Sequence, residues 1–440
     1  MRYVFASVLA LVLVTTPPVS GQPSPLSSRE RAIADYVDAH NHEAIALLER
    51  AVNINSGTQN FAGVREMGAL AAAQLEPLGF TTRWIDGAPF KRAGHLIAEH
   101  PGAGSKFLLI GHLDTVFEPD SPFQKFERIS DQQARGPGII DMKGGVVIIV
   151  QALKALQAAD ALKQMNVTVV LTGDEESAGD PQDVARAPLV AAATGAAVAI
   201  GFEDGAGDPR TAVIGRRGTT SWTLTVTGKP AHSSQIFRPD IGYGAIFEAA
   251  RILDAFRQSL AGEPHLTFNP ALVLGGTQVQ FDAVQSRGTA FGKDNVIPER
   301  AVVMGDLRAL SVEQFASARQ RMTQIVASSS LPQTKAEIAF DEGYPPLAPT
   351  EGNQRLLTMY DQASRDIGAG AVAAVDPDRA GAADVSFVAG HVPMIIDGIG
   401  LMGDGGHTVN ETADLTTLPS QTKRAALLLY RLATAPAGSR

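Results

Sequence analysis

The residues best suited to chemistry are histidines and carboxylates that recur in five short, glycine-containing segments. The segments are Gly111-His112-Leu113-Asp114, Gly138-Ile139-Ile140-Asp141, Gly173-Asp174-Glu175-Glu176, Gly201-Phe202-Glu203-Asp204 and Gly403-Asp404-Gly405-Gly406-His407. Because the 440-residue chain has no cysteine, any metal ion must be held by His, Asp and Glu. Two histidines with three or more carboxylates suit zinc or another divalent cation.

Each segment is a weak signal alone, and the prediction rests on their combination. His112 by itself is more often a structural histidine, and Asp141 before a helix is a natural capping residue. Glu175 and Glu176 are adjacent, so their side chains point in different directions. One of them can bind a metal while the other faces a substrate. Asp114, two residues after His112, lies on the same side of an extended segment and can accept the free imidazole N–H.

Short apolar strands must position these segments. Strand-like runs cover residues 106–110, 166–172, 196–200 and 393–396, and helical patterns cover about 29–52, 61–75 and 144–158. Strands interleaved with helices predict an α/β fold with a mostly parallel sheet covered on both faces. Because sites in such folds form beyond the carboxyl ends of the strands, we expect the five segments to meet in one crevice.

The middle of the chain predicts a second, different unit. Residues 221–227 alternate between apolar and polar side chains, as in a strand with one wet face. The runs that follow read β-α-β-β-α-β, with a capping box at Ser311. We predict a small α+β domain, residues 218–341. It is inserted into a larger α/β domain made of residues 28–217 and 342–440.

The first 21 residues predict an export signal. Arg2 precedes an apolar run at residues 4–14, and Val19-Ser20-Gly21 is a small-residue cleavage site. A membrane-spanning helix needs about 20 apolar residues, so a stable membrane anchor is the weaker alternative. We therefore expect an exported protein, periplasmic or secreted. The net charge of -9 argues against nucleic-acid binding, which needs a basic surface.

In this order, the five segments resemble the zinc-dependent exopeptidases of family M20, which include glutamate carboxypeptidase, aminoacylase and succinyl-diaminopimelate desuccinylase. The resemblance runs from near residue 30 to the end of the chain. It implies two zinc ions per chain, with cobalt or manganese as alternatives. By this resemblance, His112 and Glu203 complete one metal site, Glu176 and His407 complete the other, and Asp141 bridges both.

The resemblance also implies roles for the residues around the metal ions. Glu175 is the expected general base, and Asp114 is expected to orient His112. The family offers Asp or Glu at the fourth segment, so Glu203 fits that ligand position. Asp204 is a neighbour that competes for the same role.

Three residues of the inserted domain match further family segments. His232 resembles the histidine that reaches the active site of a partner subunit, where it would stabilise an oxyanion. This implies a homodimer, with residues 218–341 as a lid and dimerisation domain and residues 28–217 and 342–440 as the catalytic domain. Asn295 and Arg308 resemble substrate-binding residues, and Arg308 suits a terminal carboxylate. Arg216 and Arg217 are candidates for a second carboxylate of the substrate.

These expectations favour an exported di-zinc hydrolase that cleaves a C-terminal peptide bond or an N-acyl amino acid amide. One alternative is an aminoacylase, or a dipeptidase or aminopeptidase of the same family. An aminopeptidase needs an acidic anchor for the substrate amine, whereas Asn295 and Arg308 suit a carboxylate. The other alternative is a non-catalytic exported metal- or ligand-binding protein, which would have no use for Glu175 as a base.

Overall fold

The computed structural model describes residues 25–283, 286–328 and 330–435, so the predicted export signal at residues 1–21 lies outside the described part. The described residues form nine α-helices: α1 (Ser28–Ala39), α2 (Asn41–Val52), α3 (Phe61–Leu75), α4 (Gly144–Ala158), α5 (Gln182–Ala193), α6 (Gly244–Leu260), α7 (Val312–Ala327), α8 (Glu351–Asp366) and α9 (Thr417–Thr434). The same residues form eighteen strands: β1 (Thr81–Asp86), β2 (Gly94–His100), β3 (Lys106–His112), β4 (Glu127–Arg128), β5 (Gln133–Arg135), β6 (Asn166–Thr172), β7 (Ala196–Gly201), β8 (Thr211–Ala212), β9 (Gly218–Gly228), β10 (Thr267–Gly276), β11 (Gln278–Asp282), β12 (Arg287–Phe291), β13 (Arg300–Ala309), β14 (Thr334–Phe340), β15 (Ala373–Ala374), β16 (Ile395–Ile396), β17 (Gly403–Asp404) and β18 (Thr412–Asp414).

A six-stranded sheet in the order β1-β2-β6-β3-β7-β16 forms the centre of the larger part of the molecule. β3 is parallel to both β6 and β7, and β16 is parallel to β7. β1 and β2 add an antiparallel edge. The predicted mostly parallel α/β sheet is therefore confirmed, and β6 has the bounds that the sequence predicts.

Alternate residues of the central strands face two separate cores. Leu109 and Val169 belong to the core that α4 and α9 share. Leu108 and Val170 point to the opposite face and pack in a core with Leu189 of α5. Both faces of the sheet are therefore covered, which explains why these strands are apolar along their whole length.

The amino-terminal helical pattern forms two helices, not the single helix predicted over residues 29–52. The break lies at His40, whose backbone leaves helical geometry at φ -110° and ψ 15°. Its ring Nδ1 bonds the carbonyl of Tyr36 at 2.8 Å, and the two rings stack. The break therefore occurs at a histidine and not at Gly or Pro. Because the apolar pattern continues across it, the pattern does not reveal where α1 ends.

A second, antiparallel sheet has the order β10-β13-β9-β14, and α6 and α7 pack on it. We call this sheet with its two helices the inserted unit. Its own core includes Trp222, Leu224, Ile252, Val303 and Met322. Burial alternates along β9, as the period of two in its sequence predicts.

The inserted unit has the predicted β-α-β-β-α-β order with one addition. The hairpin of β11 and β12 stands between β10 and β13. Its strands are polar and mostly exposed, so no apolar run marked them in the sequence.

Across the described residues, no helix combines the length and the apolarity needed to cross a membrane.

The two connections to the inserted unit run side by side. Arg216 and Leu347 exchange two backbone hydrogen bonds, and the N–H of Thr219 donates to the carbonyl of Tyr344 at 3.0 Å. We call this antiparallel pair of segments the connecting ribbon.

The larger part of the molecule also contains a separate four-stranded sheet in the order β17-β18-β5-β4. We call it the small sheet.

Candidate metal centre

Three neighbouring parallel strands carry candidate residues at their carboxyl ends. β3 ends at His112, β6 is followed by Glu175 and Glu176, and β7 is followed by Glu203. The carboxyl ends of parallel neighbours lie at the same edge of the sheet, where α/β folds form their sites. The larger sheet therefore supplies these side chains to one place.

Asp141 and His407 come from the small sheet instead. Asp141 lies between β5 and α4, and His407 follows β17. The expectation that all five segments follow strands of one parallel sheet is wrong for these two. The strands of the small sheet have only two or three residues each, which is too short to show a periodic pattern.

Asp141 joins the two halves of the centre. Its Oδ1 lies 3.0 Å from Nε2 of His112, and its Oδ2 lies 2.9 Å from Nε2 of His407. Nε2 of His112 also lies 3.4 Å from Glu203 Oε1, and Nε2 of His407 lies 3.2 Å from Glu176 Oε2. The five residues thus form two groups of three that could each hold a metal ion and that share Asp141.

The backbone of His407 is held in an uncommon conformation. Its φ is +62°, in the left-handed region that residues with a side chain seldom adopt. The bonds of its ring to Asp141 and Glu176 accompany this conformation. Such local strain concentrates at functional sites, where the surrounding structure enforces it.

The pKa values of the cluster indicate which of its groups hold protons that a metal cation would displace. Hydrogen bonds to Asp141 and Glu176 raise the pKa of His407 to about 11. Burial raises the pKa of both Glu176 and Glu203 to about 7. Burial also acts on Asp141, but hydrogen bonds from His112 and His407 outweigh it and hold the pKa of Asp141 below its ordinary range.

The donor set fits divalent cations. Imidazole nitrogens and carboxylate oxygens are the ligands that zinc takes in cysteine-free sites. Oε1 of Glu176 is buried and has no hydrogen-bond partner among the described residues, so they leave a lone pair of this oxygen unused. A buried acceptor without a partner is costly unless something binds it.

Asp114 holds the turn that carries the two adjacent glutamates. Its Oδ1 accepts the N–H of Glu175 at 3.0 Å, and its Oδ2 accepts the N–H of Glu176 at 3.1 Å and the hydroxyl of Thr58 at 2.7 Å. Nδ1 of His112 lies 3.5 Å from Oδ1 of Asp114 and closer, at 3.1 Å, to its backbone carbonyl. The imidazole contact predicted for the carboxylate is therefore shared with the carbonyl of the same residue.

Glu175 lies beside the two groups without belonging to either. Burial raises the pKa of its carboxyl well above the ordinary value, and the charges of Asp384, Glu203 and Glu176 add to the rise against the opposing charge of His112. A carboxylate in such surroundings has an increased affinity for a proton. This is the property that a general base near a metal centre needs.

Glu411 is a part of the centre that the sequence did not reveal. Its carboxylate is buried and accepts the backbone N–H groups of Gly138 and Ile140 at 2.9 Å and of Asp141 at 3.2 Å. It thereby ties the loop of Asp141 to the loop of His407. The only sequence signal is that Glu411 follows His407 by four residues.

The three candidate residues within 218–341 contact neighbours in the same range. His232 is exposed, and the N–H of Ser233 donates to the carbonyl of Asn295 at 2.9 Å, so these two segments are adjacent. Arg308 lies on β13 and pairs with Asp306 at 2.9 Å. Within the described ranges, no hydrogen bond or ion pair joins His232, Asn295 or Arg308 to the metal-binding groups.

Arg216 and Arg217 are engaged within the chain rather than being surface charges. Arg216 is buried and pairs with Asp397 at 2.8 Å. Arg217 lies 3.4 Å from Asp378, which also contacts His265 at 3.1 Å. Both arginines therefore form ion pairs with aspartates of the same chain.

Comparison with known proteins shows the family to which this chain belongs. A model of peptidase family M20/M25/M40 matches residues 108–433. Carboxypeptidase G2 from Pseudomonas sp. (strain RS-16) is 25% identical over 438 residues, which is 98% of each chain. Succinyl-diaminopimelate desuccinylase from Magnetococcus marinus is 26% identical over 398 residues, which is 82% of this chain and 92% of that protein. The solved aminopeptidase PepT from Bacillus cereus is similar in fold, with a TM-score of 0.71 at 18% identity over 90% of this chain and 99% of that one.

The fold and the centre define a metal-dependent hydrolase of peptide or amide bonds. The family match extends over most of the chain, and the chain belongs to peptidase family M20/M25/M40. The resemblance read from the five segments is thereby confirmed.

Proposed function

We propose that the chain is an exported di-zinc exopeptidase that releases a C-terminal amino acid from a small peptide or an N-acyl amino acid. The observation that carries this proposal is the pair of metal-binding groups sharing Asp141, with Glu175 beside them but outside both. A protein that only binds a metal needs no additional carboxylate of raised pKa at that place.

Two zinc ions fit the donor set, one at His112, Asp141 and Glu203 and the other at Asp141, Glu176 and His407. When bound, they would supply Lewis acidity toward the scissile carbonyl and lower the pKa of water toward neutrality. Cobalt or manganese would serve the same oxygen and nitrogen ligands.

Glu175 is the proposed general base. Its carboxylate takes a proton from the attacking water and returns it to the leaving amine, as a base of raised pKa can do in both directions. Asp114 is the proposed positioning residue, because it holds the N–H groups on both sides of the Glu175 peptide and faces His112.

His232 is the proposed oxyanion donor. Nδ1 of His232 lies 3.3 Å from the N–H of Ser234 and 2.9 Å from the hydroxyl oxygen of the same residue. We propose that Nδ1 accepts from both, which places the ring N–H at Nε2. An exposed imidazole with a ring N–H suits an oxyanion that another chain presents. We therefore propose that His232 of the partner subunit completes each site.

A homodimer through the inserted unit follows from this proposal. Exposed apolar side chains occur on this unit and its adjoining segments at Phe237, Ile246, Phe247, Val273 and Phe291, and the rings of Phe237 and Phe247 lie 5.8 Å apart. β10 is an edge of the second sheet, and an exposed edge strand beside apolar side chains is a natural pairing surface. We propose that residues 218–341 form a lid and dimerisation domain, which its separate core supports.

Arg308 and Asn295 are the proposed contacts of the substrate's terminal carboxylate. Arg308 is half-exposed on β13 and held by Asp306, which fixes its guanidinium for a bidentate pair. Release of a C-terminal amino acid agrees with the name of carboxypeptidase G2, to which the chain is similar. Export is proposed from the sequence of residues 1–21, and the compartment would be the periplasm or the medium.

The proposal is tested by amine release from a panel of dipeptides, N-acyl amino acids and N-succinyl-diaminopimelate. The mature chain is assayed with zinc, after chelation and after zinc is restored, beside Glu175→Gln and the surface control Glu66→Gln. We expect chelator-sensitive release in the wild type and in Glu66→Gln, and none in Glu175→Gln. Two metal ions bound with no release from any compound would favour the binding-protein alternative.

The partner contribution is tested by mixing two inactive variants. Glu175→Gln retains His232, and His232→Ala retains Glu175, so each mixed dimer contains one complete site. Random exchange of subunits should restore about a quarter of wild-type activity. No recovery from verified mixed dimers would show that His232 does not act across the interface.

A further inference from the structure

The turn that follows β6 is held by side chains rather than by secondary structure. The carbonyl of Asp174 accepts Nη2 of Arg186 at 3.1 Å, and the N–H of Glu175 donates to Asp114 at 3.0 Å. The carbonyl of Glu175 accepts the hydroxyl of Tyr344 at 2.8 Å. Both peptide groups of Glu175 are therefore fixed. Asp114 accepts the N–H of each, Arg186 donates to the carbonyl of the first and Tyr344 donates to the carbonyl of the second.

The hydroxyl of Tyr344 has a fixed donor direction. Nη2 of Arg186 donates to the Tyr344 oxygen at 2.9 Å, so the hydroxyl proton is directed to Glu175. The guanidinium of Arg186 also lies over the rings of Tyr344 and Phe387, which pack edge to face. Arg186 is itself buried and pairs with Asp174. A bond from a charged donor polarises the hydroxyl and strengthens its own bond to the carbonyl.

Tyr344 belongs to the connecting ribbon rather than to the larger sheet. Its carbonyl accepts the N–H of Thr219, one residue into β9 of the inserted unit. Asp114 and Arg186 both belong to the larger part of the molecule. Tyr344 is thus the contact through which the ribbon reaches the Glu175 peptide.

We propose that Tyr344 is a positioning residue that sets the direction of the Glu175 carboxylate and links it to the connecting ribbon. This inference rests on the proposed function, because it takes Glu175 as the general base. Tyr344 donates a hydrogen bond to the backbone of Glu175, and within the described part of the chain it forms no hydrogen bond with a residue of the two metal-binding groups. Its loss should therefore change turnover while the bound metal stays.

The test compares Tyr344→Phe with Tyr360→Phe. Tyr360 is a matched control: its hydroxyl donates to Gln421 at 3.1 Å and Arg424 lies over its ring, but it is packed between α8 and α9. For Tyr344→Phe we expect kcat to fall roughly 10- to 100-fold, since a small misplacement of a reacting group has effects of that order. KM should stay within about twofold, because ground-state binding is unchanged. Metal content and melting temperature should match those of Tyr360→Phe.

A double variant separates action through Glu175 from a general loss of order. In Glu175→Asp the carboxylate is already displaced, so adding Tyr344→Phe should reduce kcat by less than it does in the wild type. Reductions that multiply would mean that Tyr344 acts elsewhere and would overturn the inference. An equal kcat in Tyr344→Phe and Tyr360→Phe would also overturn it, provided that Glu175→Gln is inactive. An active Glu175→Gln would instead refute the proposed function.

Discussion

Replacing Asp114 by Asn tests how much of the centre one carboxylate maintains. Each oxygen of Asp114 accepts a backbone N–H, Oδ1 from Glu175 and Oδ2 from Glu176. Either orientation of an Asn amide therefore places its NH2 against one of these N–H donors at about 3 Å. The hydroxyl of Thr58 can turn away, but the backbone donors cannot.

The structure gives the size of the effect. The variant loses one hydrogen bond to a buried charge, and it leaves a buried N–H without an acceptor, so unfolding should become easier by about 3 kcal/mol. Burial opposes the ionised form of Asp114, but hydrogen bonds from His112, Thr58 and Glu175 outweigh it and lower its pKa. The stabilisation is therefore present at neutral pH and is lost as the pH falls through the depressed pKa of the folded protein. Metal affinity should fall roughly 10- to 100-fold, as for other residues that orient metal ligands.

The assay pairs urea unfolding with zinc titration at pH 7 and uses Asp361→Asn as the control. Asp361 also accepts a backbone N–H, from Val372 at 2.7 Å, and pairs with Arg365, but on α8 and away from the centre. The control should lose stability and keep its zinc affinity. If Asp114→Asn also keeps its zinc affinity, the carboxylate is only structural, and unchanged stability would refute the hydrogen-bond argument itself.

Three further outcomes follow from the same geometry. Glu175→Ala should abolish turnover and keep both metal ions, measured by metal analysis; loss of a metal ion would mean that Glu175 and Glu176 have exchanged roles. Zinc affinity should rise with pH by about tenfold per unit above neutrality, because a proton held by His407 with a pKa of about 11 must leave before its imidazole binds the metal; calorimetry that detects no released proton would contradict this. Glu411→Gln should weaken zinc binding roughly 10- to 100-fold, because the loop of the bridging ligand loses one of three anchoring bonds; an unchanged affinity would show that this loop holds its shape without it.

The central strands were predictable because their signal is local. Asn166–Thr172 is a run of β-branched and apolar residues that a glycine ends, and the structure has the same bounds. The helices Phe61–Leu75 and Gly144–Ala158 also begin and end where their patterns do. In contrast, a histidine side chain ends α1 in the middle of a continuous pattern, which apolar periodicity cannot register.

The arrangement of the site was less predictable than its composition. Which residues could bind metal followed from their types, but the small sheet that delivers Asp141 and His407 has strands too short for any pattern. Glu411 acts through backbone amides some 270 residues away in the sequence. Tyr344 likewise reaches Glu175 from a remote segment. Such contacts depend on the folded backbone and leave no local trace.

The paired backbone of Arg216 and Leu347 also has a consequence for how the chain folds. The chain between these residues leaves and returns at one point, and closing a disordered loop of about 130 residues costs about 4 kcal/mol of entropy. An inserted unit that first assembles on its own core brings its two ends together and removes that cost. α9 follows the inserted unit in the chain and packs on α4, which precedes it. We therefore expect the inserted unit to fold before α9 docks on α4.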